Sequence, residues 1–201
     1  ATTEIYTLSL HDALPIWLSY DCLRHGHHRH AQCAWATVGH HRLTRVVCII
    51  PARMAASRLP GKPMEKLLGM PMIEHIERRC RLYDGFEKVV VATCDSVIHD
   101  AIVDHQGVAI MTRDTHERCT DRVEEAIVNL NLGLADDDLV VMVQGDEILV
   151  SPDMLAEMVE VYERTGSPVI NLVSRLYRTE DHDDPNTVKA VFNEEGRALL
   201  F

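Results

Sequence analysis

The loop at residues 51–63 is the segment of the sequence with the clearest chemistry. It gathers cations in a chain that is otherwise acidic, with a hydroxyl and a flexible glycine among them. These residues are Arg53, Ser57, Arg58, Gly61 and Lys62. Backbone amides and cations grouped in one loop suit a polyphosphate, although the spacing is not that of a Walker A loop. A local phosphate site is therefore predicted, with a solvated basic loop as the alternative.

A second candidate is the carboxylate of Asp146, which directly follows the apolar run 139–143 and the pair Gln144-Gly145. An oxygen ligand just past the end of a buried strand suits a magnesium–nucleotide site. Mg²⁺ takes one or two carboxylates and completes its octahedron with phosphates and water. Gly145 would let a backbone approach closely. The alternative is an aspartate that caps the following turn.

Strand and helix patterns alternate from Arg45 onward. Continuous apolar runs predict buried strands over 46–50, 88–93, 108–112, 139–143, 169–174 and 188–192. Apolar residues at helical spacing predict helices over 72–80, 97–104, 121–132 and 151–164. Ser151 is the expected N-cap of the last helix and Pro152 its first residue. This alternation predicts an α/β fold, a three-layer sandwich with a mostly parallel central sheet.

In such folds, ligands bind at the carboxyl ends of the strands. The loops after Ile50, Thr93, Thr112 and Val143 are therefore expected at one edge of the sheet. Both chemical candidates above lie in these loops, which predicts that they meet in one site.

Charge and hydropathy exclude two classes of protein. The net charge of −11 argues against a general nucleic-acid binder, whose affinity comes mainly from basic side chains. The apolar runs are far shorter than the roughly 18 to 20 residues of a membrane-spanning helix. Neither nucleic acid nor a membrane is therefore an expected partner.

Residues 1–44 differ from the rest in composition. They hold seven of the twelve histidines and no lysine, and their three acids balance three arginines. The run Glu4–Ile16 lacks the features of a secretory signal and resembles the conceptual translation of a sequencing adapter. We expect residues 1–44 to be a non-native or disordered extension, with neither strand nor helix patterns, and residues 45–201 to form the domain.

The cysteines and clustered histidines carry little functional signal. The spacing of Cys22, His25, His27, His28, His30 and Cys33 fits no zinc finger or ribbon, so only adventitious metal affinity is expected there. The remaining four cysteines form no C-x-x-C pair and follow no secretory signal. Reduced thiols and a cytoplasmic location are therefore expected.

Three separated blocks stand out in residues 46–201: the loop P-A-R-x-x-x-S-R-L-P-G-K-P, the segment from Met111-Thr-Arg113 through Thr120-Asp-Arg122, and Val143-Gln-Gly-Asp-Glu147. In this order, they resemble the 3-deoxy-manno-octulosonate cytidylyltransferase (CMP-Kdo synthetase) family. Asp184 to Val191 continues the resemblance. It implies a Rossmann-like fold of the nucleotide-diphospho-sugar transferase type, and transfer of CMP from CTP to the anomeric hydroxyl of Kdo or a close sugar acid. The cofactor would be Mg²⁺, the product would serve lipopolysaccharide biosynthesis, and the full-length protein would be a homodimer.

The resemblance also implies roles for individual residues. Arg53 and Lys62 match catalytic residues that hold the triphosphate, and Asp146 matches a catalytic, magnesium-binding aspartate. The implied substrate-binding residues are Pro51, Ala52, Arg58, Arg113, His116, Thr120, Gln144 and Gly145.

The chain departs from the family pattern near the implied cytosine site. Glu117-Arg118-Cys119-Thr120 stands where Gln-Ser-Gly-Thr is usual, and the bulkier side chains could alter the base or sugar contacts. Cys94 replaces an aspartate and Ile148 a proline. Residues 45–201 are also shorter than the family's domain, so we expect a C-terminally truncated fragment that turns over poorly or not at all.

Two other functions stay open from the sequence. One is a CMP-sialic-acid-like or other sugar nucleotidyltransferase, which competition among the four nucleotides distinguishes. The other is a non-catalytic nucleotide-binding fragment, in which Asp146→Ala would leave binding and biological effect unchanged.

Overall fold

The computed structural model describes residues 5–9, 16–19, 45–55, 59–136, 138–176, 178–185, 187–193 and 196–200. Its strands are β1 (Ile5–Ser9), β2 (Ile16–Ser19), β3 (Val46–Ala52), β4 (Lys66–Leu67), β5 (Met70–Pro71), β6 (Lys88–Thr93), β7 (Ala109–Met111), β8 (Leu139–Met142), β9 (Val169–Asn171), β10 (Ser174–Arg175), β11 (Thr187–Phe192) and β12 (Ala198–Leu200). Its helices are α1 (Met72–Cys80), α2 (Ser96–Asp104), α3 (Cys119–Leu130), α4 (Pro152–Thr165) and α5 (Glu180–Asp183).

The central sheet has six strands in the order β7-β6-β3-β8-β2-β9. The first four are parallel to one another, whereas β2 runs antiparallel to both of its neighbours. In the middle of the sheet, Ile49 of β3 is in register with Val90 of β6 and with Met142 of β8. The predicted α/β fold with a mostly parallel central sheet is confirmed.

Side chains alternate across β3 and fill two cores. Cys48 and Ile50 face the core covered by α1, α2 and α4, whereas Val47 and Ile49 face the core covered by α3. All four side chains are fully buried. Continuous apolar strands are expected where both faces of a sheet are covered, and the two helical layers complete the predicted three-layer sandwich.

Strand β3 ends at Ala52, two residues beyond the predicted strand 46–50. The continuous apolar run ends before Pro51. Pro51 lies inside the strand, in register with Ala92 of β6, and is buried together with Ala52. Proline is tolerated there since pairing with β8 ends at Ile49, so no ladder bond with β8 requires a Pro51 N–H. Both residues thus belong to the sheet and lead directly into the cationic loop.

Residues 1–44 contain two strands that the sequence pattern did not predict. Strand β2 lies between β8 and β9, and β1 lies in a second sheet of order β10-β1-β11-β12. Strand pairing uses the backbone N–H and C=O groups, which all residues except proline carry in full, so it does not require an alternating side-chain pattern. The predicted extension otherwise lies outside the described residues, as does the cluster from Cys22 to Cys33. Its non-native origin stays a prediction.

The ends of the helices follow local capping rules. The Ser151 hydroxyl accepts a hydrogen bond from Met154 N at 3.4 Å, and α4 ends at Gly166 with φ 60°, as its sequence predicted. Helix α3 begins at Cys119, two residues before the predicted start, with Arg118 in an extended conformation as its N-cap. Within the described ranges, no helix is long and apolar enough to span a membrane.

Candidate active site

An ion pair joins the two chemical candidates of the sequence. Lys62 Nζ lies 2.8 Å from Asp146 Oδ2, and each side chain is 32% exposed. Asp146 follows β8, and Lys62 begins a short 3₁₀ helix, Lys62–Met64, after β3. The carboxyl ends of adjacent parallel strands therefore bring the cation and the carboxylate together, as the sequence predicted.

Two hydrogen bonds of the Met54 backbone fix the cationic loop, residues 51–63. Its N–H donates to Asp95 Oδ2 at 2.8 Å, and its carbonyl accepts from Gly61 N at 2.9 Å. Gly61 has φ +80°, a left-handed conformation that favours glycine. The predicted residues Ser57 and Arg58 lie outside the described residues. The loop thus leaves the sheet and returns at fixed positions.

Gly145 lies against the end of β3. A Cβ atom added there would be 2.8 Å from the Pro51 carbonyl oxygen and 3.3 Å from Ala52 Cβ. No other residue type fits at this distance without a shift of the backbone. The predicted close approach therefore involves the protein's own β3 strand. The predicted substrate-binding roles of Gln144 and Gly145 stay predictions.

A cavity of about 50 Å³ lies beside the cationic loop. Its lining consists of Pro51, Ala52, Arg53, His116, Glu117, Arg118, Cys119 and Arg122. Arg53 Nη1 donates to the His116 carbonyl oxygen at 3.4 Å across it. Pockets for complete small-molecule ligands are several times larger, so this cavity admits only part of a nucleotide. Four of the lining residues are predicted site residues, namely Pro51, Ala52, Arg53 and His116. Three others, Glu117 to Cys119, belong to the segment that departs from the family pattern.

Glu125 on α3 holds two of the predicted site residues. Its Oε2 accepts from Arg113 N at 3.0 Å and is hydrogen-bonded to His116 Nε2, while Oε1 lies 3.4 Å from Arg113 Nε. Desolvation acts to raise the pKa of Glu125, but the hydrogen bonds from His116 and Arg113 outweigh it and lower the pKa to about 2. Glu125 is thus a carboxylate that fixes the segment between β7 and α3.

Arg122, one turn before Glu125 on α3, also holds the segment between β7 and α3. Its side chain is 3% exposed and its Nη1 donates to Thr112 Oγ1 and to the Arg113 carbonyl oxygen. Nη2 is buried and has no hydrogen-bond partner among the described residues. No role was predicted from the sequence for Arg122, Glu125 or Asp95. The signal for the first two was a pair of charges flanking the apolar stripe of Val123, Ala126 and Ile127.

The other two predicted residues of this segment, Arg113 and Thr120, are not among the residues that line the cavity. Arg113 is 71% exposed, and its guanidinium lies beside Glu125. Thr120 is half-buried in the first turn of α3, next to Cys119. Desolvation raises the pKa of the Cys119 thiol, and Arg53 and Arg122 offset part of this effect while Asp146 adds to it. Cys119 is therefore a protonated thiol at neutral pH, exposed at the cavity wall.

Asp146 is the residue predicted from the sequence to bind a magnesium ion, and this role stays a prediction. Among the described residues, no three His, Cys, Asp or Glu side chains form a metal-binding group. One carboxylate fits Mg²⁺ only where phosphate oxygens and water fill the rest of the coordination shell. The partial exposure of Asp146 and its cationic neighbour Lys62 agree with a site shared with a polyphosphate.

Residues 47–201 match a family model described as Cytidylyltransferase. The chain is 41% identical over 160 residues to the 3-deoxy-manno-octulosonate cytidylyltransferase of Syntrophus aciditrophicus, an alignment that covers 79% of this chain and 64% of the relative. It is 40% identical over 158 residues to the 8-amino-3,8-dideoxy-manno-octulosonate cytidylyltransferase of Shewanella piezotolerans, covering 78% and 64%. The chain thus spans 64% of the length of these two curated relatives.

One solved structure supports the same likeness. It is a CMP:2-keto-3-deoxy-manno-octonic acid synthetase complexed with CTP, with a TM-score of 0.56 and 35% sequence identity. The superposition covers 62% of this chain and 49% of that chain. The likeness extends from sequence to backbone and agrees with the α/β fold described above.

Proposed function

The chain belongs to the cytidylyltransferase family, and on that basis we propose that its full-length protein transfers CMP from CTP to the anomeric hydroxyl of Kdo or a close sugar acid. Pyrophosphate is released, and the product serves lipopolysaccharide biosynthesis. The observation that carries the proposal is the Lys62–Asp146 pair at the carboxyl ends of β3 and β8. It combines a phosphate-binding cation with a metal-binding carboxylate at one edge of the sheet.

The reaction needs charge neutralisation and positioning more than covalent chemistry from the protein. The sugar hydroxyl oxygen forms a bond to the α-phosphorus while the bond to the pyrophosphate oxygen breaks, and the hydroxyl proton is released. Arg53 and Lys62 would neutralise the negative charge that develops on the leaving pyrophosphate. Arg53 is exposed and Lys62 half-buried, so both can reach a triphosphate from the cationic loop.

Magnesium is the proposed cofactor, with Asp146 as its protein ligand. When bound with CTP, Mg²⁺ would neutralise phosphate oxygens. Asp146 would then exchange its present partner, Lys62 Nζ, for the ion, which frees the ammonium group for the phosphates. The ion pair therefore holds both side chains near the positions that the proposed reaction requires.

The cavity beside Arg53 is the proposed position of the cytosine ring. It lies between the end of β3 and the first turn of α3, and its size suits part of a nucleotide rather than a whole one. Arg118 and Cys119 line it on the α3 side. The sugar acid is proposed only as a class, since two relatives of nearly equal identity carry names of different sugar acids, Kdo and its 8-amino derivative.

Two further properties belong to the same proposal. The full-length protein would be a homodimer, as the family resemblance implies. Its location would be cytoplasmic, supported by the four described cysteines, all of which are free thiols.

Thermal stabilisation by nucleotides tests the binding part of the proposal. CTP with Mg²⁺ should stabilise the chain more than ATP, GTP or UTP, by about 2.7 kcal/mol at 100 times its dissociation constant. Equal stabilisation by all four nucleotides would indicate a phosphate site that does not select among bases. Pyrophosphate release by the full-length protein, with Kdo and 8-amino-Kdo in parallel, tests the reaction and its acceptor. Absence of release with either sugar acid would contradict the proposed activity.

A further inference from the structure

Asp95 occupies an unusual place for an N-cap residue. It precedes α2 with extended backbone angles, and its carbonyl accepts from Ile98 N and His99 N as in a helix start. The side chain of an N-cap aspartate commonly bonds to the amides of its own helix. Within the described residues, no such bond is made, and the carboxylate is directed to the Met54 amide instead.

The bond from Met54 to Asp95 joins two loops that are 41 residues apart in the chain. Met54 N lies 2.8 Å from Asp95 Oδ2, and the Cys94 thiol donates to the same oxygen at 3.5 Å. Asp95 N is bonded to Thr93 Oγ1 at the end of β6. The backbone of Asp95 is therefore held at the end of β6, and its carboxylate fixes the first residue after Arg53.

A continuous series of contacts leads from Asp95 to the phosphate-binding cation. Met54 O accepts from Gly61 N at 2.9 Å, and Gly61 directly precedes Lys62. Lys62 Nζ then reaches Asp146. A shift of Met54 would thus displace Arg53 on one side and Lys62 on the other. Both are the cations proposed to hold the triphosphate.

We propose that Asp95 is a positioning residue for the phosphate-binding loop and acts as a hydrogen-bond acceptor for Met54 N–H. The inference rests on the proposed function only in taking residues 51–63 as a phosphate site. The positioning role of Asp95 and its negative charge have opposite effects on polyphosphate affinity. A carboxylate near a polyphosphate repels it, so a gain in affinity is the electrostatic expectation when that charge is removed.

The test compares three variants of the full chain by calorimetric titration with inorganic tripolyphosphate in metal-free buffer. Asp95→Ala removes the acceptor and the charge, Asp95→Asn removes only the charge, and Asp100→Ala removes one exposed charge from the same helix. We expect Asp95→Ala to bind tripolyphosphate about tenfold more weakly, as for a lost charge-assisted hydrogen bond. Asp95→Asn should bind within about twofold of wild type or more tightly, and Asp100→Ala should match wild type.

Several results would overturn the inference. Asp95→Ala binding as tightly as wild type would assign Asp95 to stability alone, and equal losses in both Asp95 variants would show that no acceptor is needed. Failure of wild type to bind tripolyphosphate would remove the site that Asp95 is said to position. If Asp95→Ala does not fold, hydrogen exchange in wild type decides, since the Met54 amide should exchange slowly and rapid exchange contradicts the bond.

Titration of wild type with CTP, UTP, ATP and GTP separates this inference from the proposed function. Tripolyphosphate binding that depends on the Asp95 acceptor, without preference for CTP, would support the role of Asp95 and contradict a cytidylyltransferase. A preference for CTP with no effect of Asp95→Ala would support a cytidylyltransferase and contradict the role of Asp95.

Discussion

Lys62 and Asp146 neutralise each other across 84 residues of sequence, with Nζ and Oδ2 2.8 Å apart. Both side chains are about one-third exposed, so water screens the pair and its contribution to folding is small. The ion pair therefore contributes little to stability, and under the proposed function its two groups would exchange each other for a ligand. A polyphosphate and its magnesium ion would take over both partners at once.

Lys62→Gln should separate binding from stability. We expect CTP affinity to fall at least tenfold, because a charge-assisted contact to phosphate is lost, while the free energy of unfolding changes by less than about 1 kcal/mol. Titration and chemical denaturation measure the two quantities. Arg78→Gln is the matched control, since it breaks the 2.7 Å ion pair of Arg78 with Glu74 on α1. An equal loss of CTP affinity in both variants would contradict the prediction.

Asp146→Asn should remove the magnesium dependence of CTP binding. A neutral amide is a poor ligand for Mg²⁺ but still accepts a hydrogen bond from Lys62. We therefore expect CTP to stabilise the variant equally with and without Mg²⁺, whereas wild type gains from the ion. Thermal unfolding with CTP in magnesium or EDTA measures this difference. A magnesium effect of wild-type size in Asp146→Asn would exclude Asp146 as the ligand.

Glu125 should make stability depend on acid pH. Its pKa is lowered from 4.5 to about 2, so the carboxylate stabilises the folded state above pH 4.5, and this contribution is lost as the pH falls toward 2. Between pH 5 and 2, the free energy of unfolding should therefore fall more steeply in wild type than in Glu125→Gln. Glu124→Gln removes an exposed charge from the same helix and should retain the wild-type slope. Equal slopes in all three proteins would contradict the assignment.

Gly145→Ala should destabilise the chain by about 1 to 3 kcal/mol, because the added methyl group overpacks against β3 at 2.8 Å from the Pro51 carbonyl oxygen. Gly133→Ala provides the comparison, since its methyl group meets no atom within 4 Å although φ is +59°. It should cost about 1 kcal/mol through the left-handed backbone alone. Denaturant unfolding of both variants measures the difference, and an undisturbed Gly145→Ala would disprove the close contact.

Cys119 should report on occupancy of the cavity. Its raised pKa predicts slow alkylation by iodoacetamide at pH 7 and faster reaction above pH 9. Saturating CTP should slow the reaction at least fivefold, which peptide mass spectrometry can measure. Cys48 and Cys80 are fully buried and serve as internal references for unfolding. Alkylation of Cys119 at an unchanged rate in CTP would place the base elsewhere.

The sequence was sufficient for the parts of the fold that local patterns control. Apolar runs gave β3, β6 and β8 to within two residues, and Ser151 with Gly166 marked both ends of α4. The rule that ligand sites lie at strand carboxyl ends correctly brought Lys62 and Asp146 together. These features depend on neighbours in the chain or on general geometry, so one sequence reveals them.

Contacts between distant residues were not accessible in the same way. No local pattern indicates that Asp95 accepts from Met54, because an aspartate before a helix reads as an ordinary N-cap. The hairpin of β4 and β5 is too short for an alternating pattern, and β2 pairs through its backbone. Arg122 and Glu125 flank the apolar stripe of α3 as charged residues of any amphipathic helix do, and their partners Thr112 and Arg113 could be found only in three dimensions.

Helix α3 has two structural roles on its face of the sheet. Among the described residues, it is the helix that covers the core of Val47 and Ile49, and it also carries Arg122 and Glu125, which hold the segment behind β7. Loss of α3 by local opening would thus dismantle the wall of the cavity to which Cys119 and Arg122 belong, whereas the Lys62–Asp146 ion pair contains no residue of α3. Hydrogen exchange of the α3 amides would therefore report on this wall of the cavity rather than on the ion pair.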